Sequence, residues 1–457
     1  MVYTLNDIGR IVGGRVEGDA GAAITGFAVD SRMVQPGDIF VALSGDRADG
    51  HDFVGAAAEA GAAAALVSRP AEADIPLVLV DDALAAFLAL AAERRARFTG
   101  PVVAITGSCG KTTTKDFIAH VLSRGYSVCA SPGNYNTEVG LPLSIFALDG
   151  EDEVLVVELG VSAPGDMELL GPVAAPNIAV FTCVAPTHIE FFKSVEAVSK
   201  EKLKLLDYLA ADGTVVYNAD DEMLARVPEL SPKGVRFISY GFSEEAGVYA
   251  ADYKPRGFAG SSFFINGETP VELPVPGRFN VYNALAAAAV GSVFGMNLET
   301  ASEALRTVPT GEMRTEIVEQ GGITYVLDCY NSSPRAAVEA LDMLVEAVSG
   351  GRTVAVLGEM LELGDMSDAE HRRVGKRVRE RGIDVLVGLG AGGALIVEGA
   401  RRAGFDPGGT YTFETHEETA AFLTGFLEKG DVVLFKASRG VRMELVAQEL
   451  GIERPRG

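Results

Sequence analysis

A chain of 457 residues is longer than one hydrophobic core usually serves, which predicts two or three domains. Its 48% hydrophobic and 22% charged residues exclude general disorder, and a formal net charge of −24 leaves no positive footprint for nucleic acid or an anionic membrane. Cys109, Cys129, Cys183 and Cys329 form no CxxC pair, which argues against a zinc site or a disulfide framework and suits a reducing cytoplasm.

The N-terminus lacks a basic region followed by an apolar run, so no signal peptide is expected. No uncharged apolar stretch reaches the roughly 18 residues of a membrane span, so no membrane insertion is expected either. Residues 1–98 read as a first α/β unit. It has a strand at 39–43, an Ala-rich helix at 53–65 and a strand at 77–80. The basic stretch 93–97, followed by Gly100 and Pro101, marks its end. A second unit, 99–310, opens on the buried-strand pattern 102–105. Further strands are expected at 154–157, 178–181 and 215–217, with helices between them. That alternation predicts a mostly parallel sheet covered on both faces. Residues 235–276 read as a small antiparallel patch, and a helix follows from about Tyr282. A third unit, 311–457, has strands at 323–327, 353–357, 385–389 and 432–435 and reads as doubly wound, Rossmann-like α/β.

The strongest local signal is Gly107-Ser108-Cys109-Gly110-Lys111-Thr112-Thr113, which follows a buried strand and opens a helical run. Glycines let the backbone curl so that its N–H groups point at phosphate oxygens, and the helix N-terminus adds a positive dipole. Lys111 would reach the terminal phosphates of a nucleotide, and the Thr112 hydroxyl would ligate Mg²⁺. Ile105 replaces the first glycine of the usual GxxxxGK[ST] pattern. The bland alternative is a tight strand–helix turn carrying an incidental lysine.

Three further residues are weak alone. Val195, Val198, Leu205 and Leu206 lie at i−7, i−4, i+3 and i+4 from Lys202, which places that lysine on the apolar face of its helix. There it must be paired, deprotonated or snorkelling. His188 lies 14 residues upstream, and a lone histidine is more often structural than a ligand. Glu158 ends an apolar run at the C-terminal tip of an expected strand, where open α/β sheets bind ligands, although an ordinary surface carboxylate fits too.

Taken with the phosphate loop and the segment Gly133-Asn134-Tyr135-Asn136-Thr137-Glu138-Val139-Gly140-Leu141-Pro142, these residues resemble the central domain of the Mur ligases, the amide-forming ligases of peptidoglycan precursor synthesis. The resemblance runs nearly end to end. Asp30-Ser31-Arg32, residues 36–43 and Asp49-Gly50-His51 are similar to a UDP-sugar-binding domain of two members, and 277–285 to the family's adenine-side helix. Arg314, Asp328 and Lys436-Ala437-Ser438-Arg439-Gly440 resemble the C-terminal domain. Residues 327–334, with Tyr330 and Asn331, and residues 357–364 with His371-Arg372 look like the branch that adds D-alanyl-D-alanine. The Asp-Asn-Pro-Arg tetrapeptide of diaminopimelate-adding members is absent. Phe279 stands where a histidine is common, and Ser332-Ser333 where Ala-Asn is usual.

The resemblance implies a cytoplasmic, monomeric, ATP-dependent ligase acting on UDP-N-acetylmuramoyl-tripeptide and D-alanyl-D-alanine. ATP would lie on residues Gly107 to Thr113, with Asn280, Asn283, Arg314, Asp328 and Tyr330. One Mg²⁺ would sit on Thr112 and Glu158, and a second on Glu158, His188 and Lys202, the lysine having become a carbamate by adding CO₂. Lys111, Glu158, His188, Lys202 and Arg314 would carry the chemistry. Ser31, Arg32, Asp46 and Arg47 would contact the UDP-sugar. Asn134, Asn136 and Thr137, together with Asn331, Lys436, Ser438 and Arg439, would meet the remaining substrate groups, the last four near the incoming dipeptide. The rivals are another ligase on the same scaffold, such as the third-residue-adding enzyme or a polyglutamate synthetase, and a nucleotide-binding regulatory or scaffold protein with a vestigial site.

Overall fold

Runs of Val, Ile, Leu and Ala that are buried on both faces form the inner strands of three successive sheets. The computed structural model describes residues 2–45, 48–230, 233–309, 311–348 and 350–453.

The first sheet has five strands, in the order Arg15–Glu17, Leu77–Leu79, Ala64–Val67, Asp38–Val41 and Gly26–Ala28, all parallel except the first pair. Here the expected Ala-rich helix is too long. It runs only from Val54 to Glu59, the chain turns at Gly61 with φ +102°, and Ala64–Val67 is a fully buried strand. Alanine is the best helix former, but a position covered on both faces of a parallel sheet overrides that preference.

The helix Ala83–Arg97 joins the first unit to the second. Its Phe87 and Leu90 pack under the first sheet, while Leu88 and Ala91 pack under the second. Phe27 stacks on Phe146 across this junction with ring centroids 3.7 Å apart. Arg94 and Arg95 donate to the carbonyls of Leu148 and Ala174.

The central sheet has nine strands. Its parallel core is Thr214–Asn218, Ile178–Phe181, Val102–Thr106 and Val154–Glu158, with Val128–Ala130 at one edge. Alternation is strict along Val102–Thr106. Val103 and Ile105 face the helices Lys111–Leu122 and Arg278–Val293, whereas Val102 and Ala104 face the opposite layer. Residues 235–276 do not form a separate antiparallel patch. Arg236–Gly241 joins the parallel core, Val248–Pro255 extends it, and only Ser261–Ile265 and Thr269–Leu273 are antiparallel. The following helix starts at Arg278, a full turn before Tyr282.

The third sheet has six strands, in the order Glu316–Gln320, Ile323–Leu327, Val432–Lys436, Thr353–Leu357, Val385–Leu389 and Thr410–Phe413. Only the first pair is antiparallel. The four strands read from sequence are present, and both edge strands escape that reading because polar residues interrupt them.

Candidate functional site

The loop after Val102–Thr106 is shaped by two glycines. Gly107 has φ +151°, and a Cβ there would lie 1.9 Å from the Thr182 hydroxyl. Gly110, at φ +79°, caps the helix Lys111–Leu122 and abuts the Asn283 side chain. Lys111 Nζ folds back to donate to the Gly107 carbonyl at 2.9 Å. Ser108 Oγ donates to the Ala185 carbonyl at 3.0 Å. The loop therefore has the curled backbone and helix entry that suit a polyphosphate.

Glu158, at the tip of its strand and 1% exposed, accepts from Thr112 Oγ1 and from Asn136 Nδ2, both at 2.7 Å. Arg314 Nη2 donates to Thr112 Oγ1 at 3.0 Å, and its guanidinium stacks 4.1 Å over the Tyr330 ring. The third unit thus touches the phosphate loop directly.

His188 has the left-handed φ of +55° and precedes the one-turn helix Ile189–Phe192. Its Nδ1 lies 2.6 Å from Glu362 Oε2, and hydrogen bonding from the ring holds the Glu362 carboxyl below the usual range. Lys202 is 1% exposed on the helix Val195–Leu203, with Val198, Leu205 and Leu206 buried around it, as its apolar stripe predicts. Its Nζ has a single long contact, 3.4 Å to the Val161 carbonyl. Burial, then the charge of Lys111, pulls its ammonium down to about 7.

A cavity of about 410 Å³ opens between the second and third units. Ser108 to Thr113, Asn134, Asn136, Glu158 and His188 line it from the second unit, together with Asn280 and Asn283. Arg314, Asp328, Tyr330, Asn331, Lys436, Ser438 and Arg439 line it from the third. Asn280 donates to the Pro276 carbonyl, and Asn283 bridges Asn280 and Thr114. Lys436, 3% exposed, is already engaged by Asp328 at 2.6 Å and by the Asn331 carbonyl at 3.1 Å, so it orients Asp328. Ser438 Oγ donates to the Ser332 carbonyl. Among the described residues, no group of three His, Cys, Asp or Glu side chains is placed to hold a metal.

Ser31 and Arg32 line a separate cavity of about 1040 Å³ in the first unit, with Arg32 paired to Asp30 at 2.5 Å. Asp46 and Arg47 lie outside the described residues. Glu138 and Val139 reach the rim of this cavity, so the segment 134–139 runs from one cavity to the other. Thr137 lines neither; its hydroxyl accepts from the Val139 and Gly140 amides.

Sequence reasoning missed two features. Lys115, 1% exposed, donates to the carbonyls of Ser131 and Gly133 at 2.5 and 2.9 Å and lies 3.1 Å from Asp116. It ties the helix that carries Thr112 to the loop that carries Asn136. Four residues after Lys111, it reads from sequence as a solvated charge on the same helix face. Replacing it by methionine strands two carbonyls and should cost on the order of 3 kcal/mol, read as a lower urea midpoint; an unchanged midpoint would refute the tether. The second feature is a meeting of thiols that sequence reads as scattered. The Cys109 amide donates to Cys183 Sγ at 3.3 Å, and Cys183 Sγ contacts the Cys109 carbonyl at 3.6 Å. The neighbouring Cys183 thiol pulls Cys109 below the usual thiol range. Nothing local in the sequence joins two strand ends 74 residues apart.

Three family models match along the chain. They are the Mur ligase family catalytic domain at residues 23–95, the Mur ligase middle domain at 105–291, and the Mur ligase glutamate ligase domain at 313–439. The UDP-N-acetylmuramoyl-tripeptide–D-alanyl-D-alanine ligase of Bacillus subtilis is 35% identical, with 94% of each chain covered. The Escherichia coli enzyme of the same name is 33% identical, with 85% of this chain and 86% of that one covered. Among solved structures, MurF from Acinetobacter baumannii superposes with a TM-score of 0.91 at 27% identity over 99% of both chains. MurF from Thermotoga maritima in complex with ADP does so with a TM-score of 0.82 at 30% identity over 93% of this chain and 96% of that one. Similarity that runs through all three units, at this identity, leaves one assignment: the chain belongs to the Mur ligase family.

Proposed function

We infer that this protein is a cytoplasmic, monomeric, ATP-dependent ligase that adds D-alanyl-D-alanine to UDP-N-acetylmuramoyl-tripeptide through an acyl phosphate. The observation that carries this reading is the meeting of Thr112, Glu158 and Arg314 on the phosphate loop. Full-length similarity to relatives bearing that name supports the choice of substrates. No helix among the described residues is long and apolar enough to cross a membrane.

Residues 1–98 would hold the UDP-sugar in the cavity beside Ser31 and Arg32. Residues 99–310 would bind ATP, and residues 311–457 would close on it and present the dipeptide near Asn331, Ser438 and Arg439. The tripeptide would follow 134–139 toward Glu158. Its carboxylate attacks the γ-phosphorus, ADP leaves, and the dipeptide amine then attacks the acyl carbon and expels phosphate. Loop amides and Lys111 hold the phosphate oxygens, and Arg314 adds charge where the transferring group becomes most negative. Asp328, fixed by Lys436, would hold the ribose. Closure of the third unit on the second would exclude water that otherwise hydrolyses the acyl phosphate.

The Thr112 hydroxyl and the Glu158 carboxylate are hard oxygen donors beside the loop and fit Mg²⁺. For a second ion, His188 supplies nitrogen on a ring steadied by Glu362. Lys202 fits only as an uncharged amine or its carbamate, which its burial favours. When bound, the ions would offset phosphate charge.

The deciding assay is phosphate release from ATP with the UDP-linked tripeptide, offering D-alanyl-D-alanine or single amino acids. Release that needs the dipeptide, with a pentapeptide product by mass, is the expected outcome. Release with a single amino acid instead would keep the ligase and change its acceptor. Arg32→Ala should raise the KM for the UDP-linked substrate roughly 10-fold at unchanged ATP KM, by loss of one charge-assisted hydrogen bond; equal KM values would remove Arg32 from that site.

A further inference from the structure

Two thiols that ligation does not use meet at the phosphate loop. Cys109 sits inside the loop and faces the nucleotide cavity. Cys183 follows the adjacent strand Ile178–Phe181 and is 5% exposed. Both cysteines are free, and Cys183 Sγ lies 3.6 Å from the Cys109 carbonyl oxygen. The Cys109 amide points at Cys183 Sγ, and its neighbour Cys109 and burial keep the Cys183 thiol protonated. On its other side the Cys109 thiol lies 3.3 Å from Ser333 Oγ, at the start of the helix Pro334–Ala347 in the third unit. A half-buried cysteine at the cavity wall thus stands in front of a buried one, the arrangement of an attacking and a resolving thiol.

We propose that Cys109 and Cys183 are a peroxide-sensitive thiol pair, whose oxidation to a disulfide reversibly blocks nucleotide binding. The Cys109 thiolate attacks one oxygen of a hydroperoxide and the O–O bond breaks. For hydrogen peroxide this leaves a Cys109 sulfenic acid, and the departing hydroxide takes up a proton as water. The Cys183 sulfur, as it gives up its proton, attacks the sulfenic sulfur. The S–S bond forms, the S–O bond breaks and a second water leaves. The two thiols lose two electrons, and the peroxide is reduced to two waters.

Blocking follows from geometry. A disulfide brings the sulfurs to about 2.0 Å, closer than any hydrogen-bonded pair, and constrains both Cβ positions. The loop has little room to follow without turning its amides. Gly107 already lies against Thr182, and Thr182 Oγ1 donates to the Cys109 carbonyl at 2.6 Å. The amides that would face phosphate turn with the loop, and the contact with Ser333 is lost. A bound nucleotide in turn covers Cys109 and shields it.

The test treats the reduced full-length protein with hydrogen peroxide, with and without saturating ADP. Intact mass, peptide mapping and ADP titration are the readouts, so the result does not depend on the ligation assay. The expected result is a loss of two mass units mapped to Cys109–Cys183. ADP affinity should fall at least 10-fold, dithiothreitol should restore it, and ADP should slow the reaction. Cys183→Ser, whose hydroxyl can still accept from the Cys109 amide, should bind ADP normally. On oxidation it should gain 16 or 32 mass units at Cys109 and form no such cross-link. A disulfide mapped elsewhere, no disulfide at all, or a Cys109–Cys183 disulfide with unchanged ADP affinity would each overturn the proposal.

Discussion

Lys202→Met is expected to abolish ligation and at the same time make the fold more stable. Lys202 is 1% exposed and makes one long contact to a carbonyl, so its charge is almost uncompensated. Its folded pKa of about 7 lies below the ordinary 10.5. At pH values below about 7 the group is charged in both folded and unfolded states, and the folded state bears the full burial penalty. Between 7 and 10.5 the unfolded chain binds the extra proton, so stability rises with pH across that window. Methionine, similar in length and apolar, removes the penalty. The gain should be largest below pH 7, roughly 3–5 kcal/mol, and should vanish toward pH 10.5. Urea unfolding at pH 6.5 and pH 10 in CO₂-free buffer reads it directly. Ligation should fall by at least about 10²-fold, because the proposed carbamate, which would offset charge at the reacting phosphate, can no longer form. Lys202→Ala should recover part of its activity with a short carboxylic acid, which can stand in for the carbamate. A fully active Lys202→Met enzyme would end the carbamate assignment, and an unchanged urea midpoint would show that the ammonium is solvated.

The same lysine shows what a sequence can reveal. Its place was legible because helical periodicity is local: four apolar neighbours at fixed offsets define one face. The position of Glu158 was legible for the same kind of reason, since the apolar run before it marks a buried strand whose C-terminal tip it occupies. His188 has no such signature. What defines it is a left-handed backbone and a partner, Glu362, contributed by a loop of the third unit, and only the family resemblance pointed to it. Lys115 and the Cys109–Cys183 pair are non-local in the same way. Their partners are loop carbonyls and a strand end that only the folded topology brings near. The Ala-rich segment failed for a different cause. Residues 62–66 carry the local preference of a helix, and only the two layers that cover Ala64–Val67 make them a strand.

Arg314→Ala should lower kcat by about 10²- to 10³-fold while leaving ADP affinity within a few-fold. Arg314 comes from the third unit and donates to Thr112, a residue of the phosphate loop, but it touches none of the loop amides that would grip the α- and β-phosphates. In the proposed mechanism its charge would therefore act at the end of the polyphosphate, where negative charge grows as the phosphoryl group moves. Stacking on Tyr330 fixes the guanidinium plane, so reach and orientation are set before substrate arrives. Lysine cannot reproduce a planar, stacked fork, and Arg314→Lys should recover less than a tenth of the lost rate. Contact between the units does not rest on this residue alone. Arg335 pairs with the buried Asp221 at 3.1 Å, Tyr253 donates to Glu346 at 2.9 Å, and Glu190 N donates to the Glu362 carbonyl. Small-angle scattering should therefore give the same radius for Arg314→Ala as for the parent chain, with and without ADP. A rate loss with an unchanged radius would place the effect in the chemical step. An expanded radius with weakened ADP binding would instead make Arg314 a clasp between units, and the charge argument would fall.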